Sequence, residues 1–129
     1  MISEQFIQRM SEAIADEEGF GIPDSVPTRA SNPGDLTDDK DVGLGVIQTS
    51  GPAGAGITIY ATPADGWAAL ARKLRRMLSG ASEVYLLSMS IEEVGMKWSD
   101  DPNWGKNVAA KLGVTPDTTL AELAAANLE

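Results

Sequence analysis

Ile2, Phe6, Met10 and Ile14 recur at every fourth position, a spacing that stacks them on one face of a helix and requires that face to be buried. Glu18 is the next step along the same stripe, and Gly19 behind it suits a residue that closes a helix in the left-handed region. A carboxylate placed there meets two penalties, because apolar surroundings and the negative end of the helix dipole both favour its protonated form. An acid that keeps its proton near neutral pH is what general acid catalysis requires. The plainer alternative is that Asp16, Glu17 and Glu18 form an acidic run at a solvated helix end.

Composition narrows the chemistry. The chain has 129 residues, 43% of them hydrophobic, which suits a single domain over residues 1–129 with one core. It contains neither cysteine nor histidine. Disulfide frames, thiolate chemistry, serine-histidine hydrolysis and histidine-ligated zinc are therefore excluded, and acid–base work falls to carboxylates, lysines or tyrosines. Asp38-Asp39-Lys40-Asp41 faintly resembles a calcium loop, but the glycine and the distal glutamate are out of register. No metal and no cofactor are expected.

The formal net charge of −9 argues against nucleic acid as a partner, since phosphates need cations to neutralise them. Ten acidic residues lie between Glu4 and Asp41, while four of the ten basic ones crowd into Arg72, Lys73, Arg75 and Arg76. That cluster reads as a solvated outer helix face, with contact to an anionic polymer as the second reading. Met1-Ile2-Ser3-Glu4 is amphipathic and acidic, unlike the start of a signal peptide. No stretch approaches the ~20 apolar residues that span a bilayer. The expectation is a soluble protein without membrane insertion, which a partner must deliver if it acts outside a cell.

Along the chain, Gly19 to Asp41 shows neither helical nor strand period and reads as a long loop, of a length expected to be either disordered or functional. Val42 to Gln48 and Ile57 to Tyr60 read as the strands of a hairpin around a Gly-rich connection from Thr49 to Gly56. Thr62-Pro63-Ala64-Asp65 opens a second long helix that Ser79-Gly80 closes. Ser90-Ile91-Glu92-Glu93 and Thr119-Leu120-Ala121-Glu122 are capping boxes for two further helices, and Asp101-Pro102 starts another that ends at Gly113. The fold expected is α+β and mainly helical, with one small β-hairpin after the first helix.

Four blocks stand in order: Ala15-Asp16-Glu17-Glu18-Gly19-Phe20, then Arg29-Ala30-Ser31-Asn32-Pro33-Gly34-Asp35-Leu36, then Ile59-Tyr60-Ala61-Thr62-Pro63-Ala64-Asp65-Gly66-Trp67, then Trp104-Gly105-Lys106-Asn107-Val108. The chain resembles the small phage-associated, lysozyme-like muralytic proteins, which carry an EG pair, an NPG loop, a YxTxxxGW segment and a tryptophan-asparagine helix in that order. The resemblance implies a lysozyme-like fold. It implies cleavage of the β-1,4 linkage between N-acetylmuramic acid and N-acetylglucosamine in peptidoglycan, with Glu18 as the catalytic acid–base. The glycan strand would be the substrate and a phage particle or delivery protein the partner. The place of action would be the periplasm or cell wall, reached as part of a virion or by a holin-like route.

Two chemical routes follow from that resemblance. A hydrolase, or true muramidase, needs a second carboxylate, and Asp35, Asp38, Asp39 and Asp41 are the candidates. A lytic transglycosylase needs one glutamate, the sugar's own hydroxyl closing a 1,6-anhydro ring, and this is the route favoured because relatives often carry asparagine at the position of Asp35. A non-catalytic structural or glycan-binding protein of the same fold is the competing class.

The remaining candidates each have a plain reading beside the functional one. Asn32-Pro33-Gly34 is a β-turn that could also hold Asn32 and Arg29 against the catalytic helix. Arg29 could pair with an acid or meet a substrate carboxylate. Tyr60 could stack on a sugar or fill the core, and Thr62 is most simply a helix cap. Trp67 reads as core. Trp98 and Trp104 could stack on sugar rings or pack, and Asn107 could bond an acetamido group or a loop carbonyl.

Overall fold

Phe6, Met10 and Ile14 are almost completely buried along one face of helix α1 (Glu4–Glu18), as their spacing demands. The computed structural model describes residues 1–37, 42–48 and 56–129. Among the described residues six helices and a two-stranded antiparallel hairpin follow one another: α1, α2 (Val26–Arg29), β1 (Gly45–Gln48), β2 (Gly56–Ile59), α3 (Pro63–Ser79), α4 (Ile91–Trp98), α5 (Trp104–Leu112) and α6 (Leu120–Ala126). The mainly helical α+β expectation with an early hairpin holds. The carboxylates Asp38, Asp39 and Asp41, and the hairpin connection over 49–55, lie outside the described residues. No helix among the described residues is long and apolar enough to cross a membrane.

The chain divides into two compact units, Ile14–Leu70 and the remainder. In the first, β1 and β2 pair in the register Gly45 with Ile59 and Ile47 with Ile57. The far edge of β2 is met by the turn that precedes the hairpin: Thr58 N donates to Leu36 O at 2.9 Å, and Thr37 bridges Ile57. Ala30, Leu36, Ile57, Tyr60, Ala69 and Leu70 form the buried side of this unit.

The structure corrects the expectation of an unbroken loop from Gly19 to Asp41. Ser25 caps α2, its hydroxyl accepting from Thr28 N, and Pro27 sits in the first turn where its missing N–H costs nothing. Four residues are too few to display a period. β1 starts at Gly45 rather than Val42, and α5 starts at Trp104 because Asp101 Oδ1 accepts from Asn103 N at 2.9 Å and folds that stretch into a turn.

The second unit comprises Met1–Ala13 and Ala71–Glu129. Leu74, Met77, Ile91, Val94, Trp104, Val108 and Leu120 have essentially no exposed surface, and each such aliphatic side chain contributes roughly 1.5–3 kcal/mol by leaving water. Small residues bring α4 and α5 close, since a Cβ on Gly105 would stand 2.7 Å from Glu92 Cα. The chain ends are tied together, with Ser3 N donating to Asn127 O at 2.9 Å and Glu129 N to Met1 O at 3.0 Å.

Candidate functional site

Glu18 is the last residue of α1 and is half-buried. The chain leaves the helix through Gly19, whose φ of 84° is the left-handed exit that the sequence predicts. Phe20 N donates back to Ala15 O at 3.0 Å, so the last turn is closed rather than frayed. The capping residues of α2 then pin this exit. Ser25 Oγ donates to Gly19 O at 2.9 Å, and Gly21 N donates to Thr28 Oγ1 at 2.9 Å. Phe20 meets the edge of Trp67 at 5.4 Å between ring centroids. The backbone that carries Glu18 is therefore held by two hydroxyls and an aromatic contact. Sequence reasoning passed over Ser25 and Thr28, although Ser-x-Pro before a turn was a readable cap signal.

The turn over 31–36 is built around Asn32, which has no exposed surface. Its Nδ2 donates to Leu36 O at 2.9 Å and to Thr58 O at 2.8 Å, while its Oδ1 accepts from Leu36 N at 2.8 Å. These bonds fasten the turn to itself and to β2. Among the described residues none of them reaches α1, so Asn32 shapes the turn and does not brace the helix end directly. Arg29 is exposed on the last turn of α2, and among the described residues no carboxylate lies within ion-pair distance of it.

Asp35 is the unusual member of this turn. Its φ is 54°, a left-handed conformation that aspartate tolerates better than most residues. Its N–H donates to Asn32 O at 3.0 Å. The residue is half-buried, and Oδ1 is sealed from solvent without a hydrogen-bond partner among the described residues. Burial alone pushes its carboxyl up from the usual value of 3.8 to about 6. A carboxyl in that range can hold or release a proton near neutrality.

Tyr60 is buried at 2% exposure, its N–H donating to Ala30 O at 2.8 Å, which makes it part of the core. Thr62 is exposed and its hydroxyl caps α3, accepting from Asp65 N at 3.2 Å. Glu18, Arg29, Asn32, Asp35, Tyr60 and Thr62 all belong to the unit Ile14–Leu70, whereas Trp98, Trp104 and Asn107 belong to the other. Trp104 has no exposed surface, so its packing role is the one realised. Asn107 is half-buried on α5, with its N–H on Asn103 O at 2.9 Å.

Trp98 is half-buried and stacks on Trp104 with centroids 5.5 Å apart. Tyr85, which the sequence did not single out, lies 5.6 Å from Trp98. The ammonium of Lys73 sits 4.6 Å from the Trp98 ring centre and 5.1 Å from that of Tyr85. Burial lowers the Lys73 pKa from its ordinary value. This corrects the reading of the basic cluster as a solvated face: Arg72, Arg75 and Arg76 are exposed, and Lys73 is not. A separate cavity of about 290 Å³ opens among Glu92, Met96, Asp100, Asp101, Pro102 and Gly105 and includes none of the candidate residues.

No protein-family model, no curated protein and no solved structure matches this chain.

Proposed function

We propose that the protein cleaves the β-1,4 bond between N-acetylmuramic acid and N-acetylglucosamine in peptidoglycan, on a lysozyme-like fold, with Glu18 as general acid and base. The observation that carries this reading is the placement of Glu18: a half-buried glutamate that ends α1, on a backbone pinned by Ser25 and Phe20. The order of the blocks around it supports the same reading. Glu18 protonates the glycosidic oxygen as the bond to C1 breaks, and the departing N-acetylglucosamine leaves with a free 4-hydroxyl. The resulting carboxylate takes the proton of the muramyl 6-hydroxyl while that oxygen attacks C1, which closes a 1,6-anhydro ring and restores the acid. One carboxyl suffices for this lytic transglycosylation.

Asp35 favours a second reading. Its carboxyl, raised to about 6 by burial, has the proton affinity of a base that could activate water, which is the extra group a muramidase needs. Mass spectrometry of soluble products from purified peptidoglycan separates these routes. Anhydro-ended fragments that disappear with Glu18→Gln support transglycosylation. Reducing ends that disappear with Glu18→Gln and with Asp35→Asn support hydrolysis. Release of nothing by the native chain, with binding retained, supports a glycan-binding or phage structural role instead.

A further inference from the structure

The sequence set Lys73 in a basic run and Trp98 on a short helix, without connecting them; the fold puts the ammonium of one 4.6 Å above the ring of the other. Tyr85 supplies a second ring at 5.1 Å, and Trp104, wholly buried, backs Trp98. The ring faces attract a cation, but they carry no formal charge. Among the described residues no carboxylate lies within ion-pair distance of Lys73. Among the described residues, then, a partly desolvated positive charge has aromatic rings and no counter-ion beside it, in a protein whose net charge is −9. A cation kept in this way retains most of its capacity for an anion, and desolvated surroundings strengthen that attraction relative to water.

We infer that Lys73, seated on Tyr85 and Trp98, is the anion-recognising group of a binding subsite for a carboxylate, the chemistry carried by the stem peptides of peptidoglycan. The choice of a peptidoglycan carboxylate rests on the function proposed above; the anion site itself does not. A planar carboxylate reaches the ammonium as a hydrogen-bond acceptor, and the half-buried Trp98 beside it offers apolar surface to the neighbouring sugar or peptide.

The test is calorimetric titration at low salt with the disaccharide dipeptide N-acetylglucosaminyl-N-acetylmuramyl-alanyl-isoglutamine and with the same molecule after its carboxylate is converted to an amide. This probe has no muramyl-to-glucosaminyl bond, so it is not consumed. The acid form is expected to bind at least about tenfold more tightly than the amide, Lys73→Met to abolish that difference, and Lys73→Arg to keep most of it. Thermal denaturation of both variants confirms that they fold. Equal affinity for acid and amide, an undiminished preference in Lys73→Met, or no binding of either probe by the native chain overturns the inference. A carboxylate preference in a chain that cleaves no peptidoglycan leaves the subsite standing and overturns the role of Glu18. Cleavage that depends on Glu18, with no preference between the probes, does the reverse.

Discussion

Ser90 and Thr119 face each other as an isolated antiparallel bridge, and each is the N-cap of a helix. Around this bridge the first two donors of each helix find acceptors on the segment that leads into the other. Ile91 N and Glu92 N at the start of α4 donate to Thr118 O at 2.9 Å and Pro116 O at 3.0 Å, while Leu120 N and Ala121 N at the start of α6 donate to Met89 O and Leu87 O, both at 2.9 Å. The third donor in each case goes to the cap hydroxyl, at 3.1 Å from Glu93 N and from Glu122 N. Two helix starts that would otherwise need water thus complete one another.

Removing either cap hydroxyl orphans the third donor of its own helix. Ser90→Ala and Thr119→Ala are each expected to lose about 1–2 kcal/mol. The double variant should depart from the sum of the two by at least about 0.5 kcal/mol, because they share one bridge. Urea denaturation of the four chains in the cycle measures this, and strict additivity would mean that the bridge transmits nothing between the caps.

Asn32 makes a second prediction. Its side chain closes three buried hydrogen bonds within the turn and to β2, and alanine leaves Leu36 N without that partner. Asn32→Ala is expected to destabilise the fold by about 2–4 kcal/mol. Asn32→Asp keeps the acceptor but loses both amide donors, so it should be nearly as damaging. A loss below about 1 kcal/mol for Asn32→Ala in chemical denaturation would mean that the turn is held by other contacts.

What the sequence disclosed and what it withheld follow the range of the interaction. The caps at Thr62, Ser90 and Thr119 and the left-handed exits at Gly19, Gly80 and Gly113 are set by residues within one turn, and all were readable. α2 was missed because Val26–Arg29 is shorter than the window in which a period can be seen. Lys73 was misplaced because the rings that take it off the surface, Tyr85 and Trp98, come later in the chain, and an apolar stripe does not name its long-range partners. The same limit applies to Asp35. A turn after Pro33-Gly34 was plain, but nothing local says that one carboxyl oxygen is sealed from water.

That sealed oxygen gives a pH-dependent prediction. Burial pushes the folded-state value of Asp35 up to about 6 from 3.8, so between those limits the folded chain holds a proton that the unfolded chain has released. Its stabilising effect is complete below the unfolded value and is lost as the pH rises through the folded one. Above that, the protein carries a half-buried carboxylate, which after allowance for solvent screening costs about 1 kcal/mol. Asparagine accepts the left-handed φ without the charge. Asp35→Asn is expected to match the native chain near about pH 4 and to exceed its stability by about 1 kcal/mol near about pH 8. Thermal denaturation across that range decides it, and a constant difference at every pH would mean that the carboxyl titrates as it does in water.

The turn that presents Asp35 is held from the α3 side by Gly66. A Cβ built there would stand 2.0 Å from Ser31 O and 2.7 Å from Pro33 Cδ. The obstacle is a backbone oxygen, so no side-chain rotation relieves it. On an open helix face, replacing glycine by alanine stabilises by about 1 kcal/mol through propensity alone, which makes the sign of the effect diagnostic. Gly66→Ala is expected to destabilise by about 2–4 kcal/mol, because either the first turn of α3 or the Ser31–Pro33 backbone must move. Gly21→Ala is the control: Gly21 has a φ of 95° but open space around it, so it should lose only about 1 kcal/mol to backbone strain. Chemical denaturation that ranks Gly66→Ala no worse than Gly21→Ala would show that the close approach is not what fixes the turn. If the ranking holds, the displaced turn should also release the Asp35 carboxyl toward its ordinary value, and the pH-dependent gain of Asp35→Asn should shrink in the Gly66→Ala background.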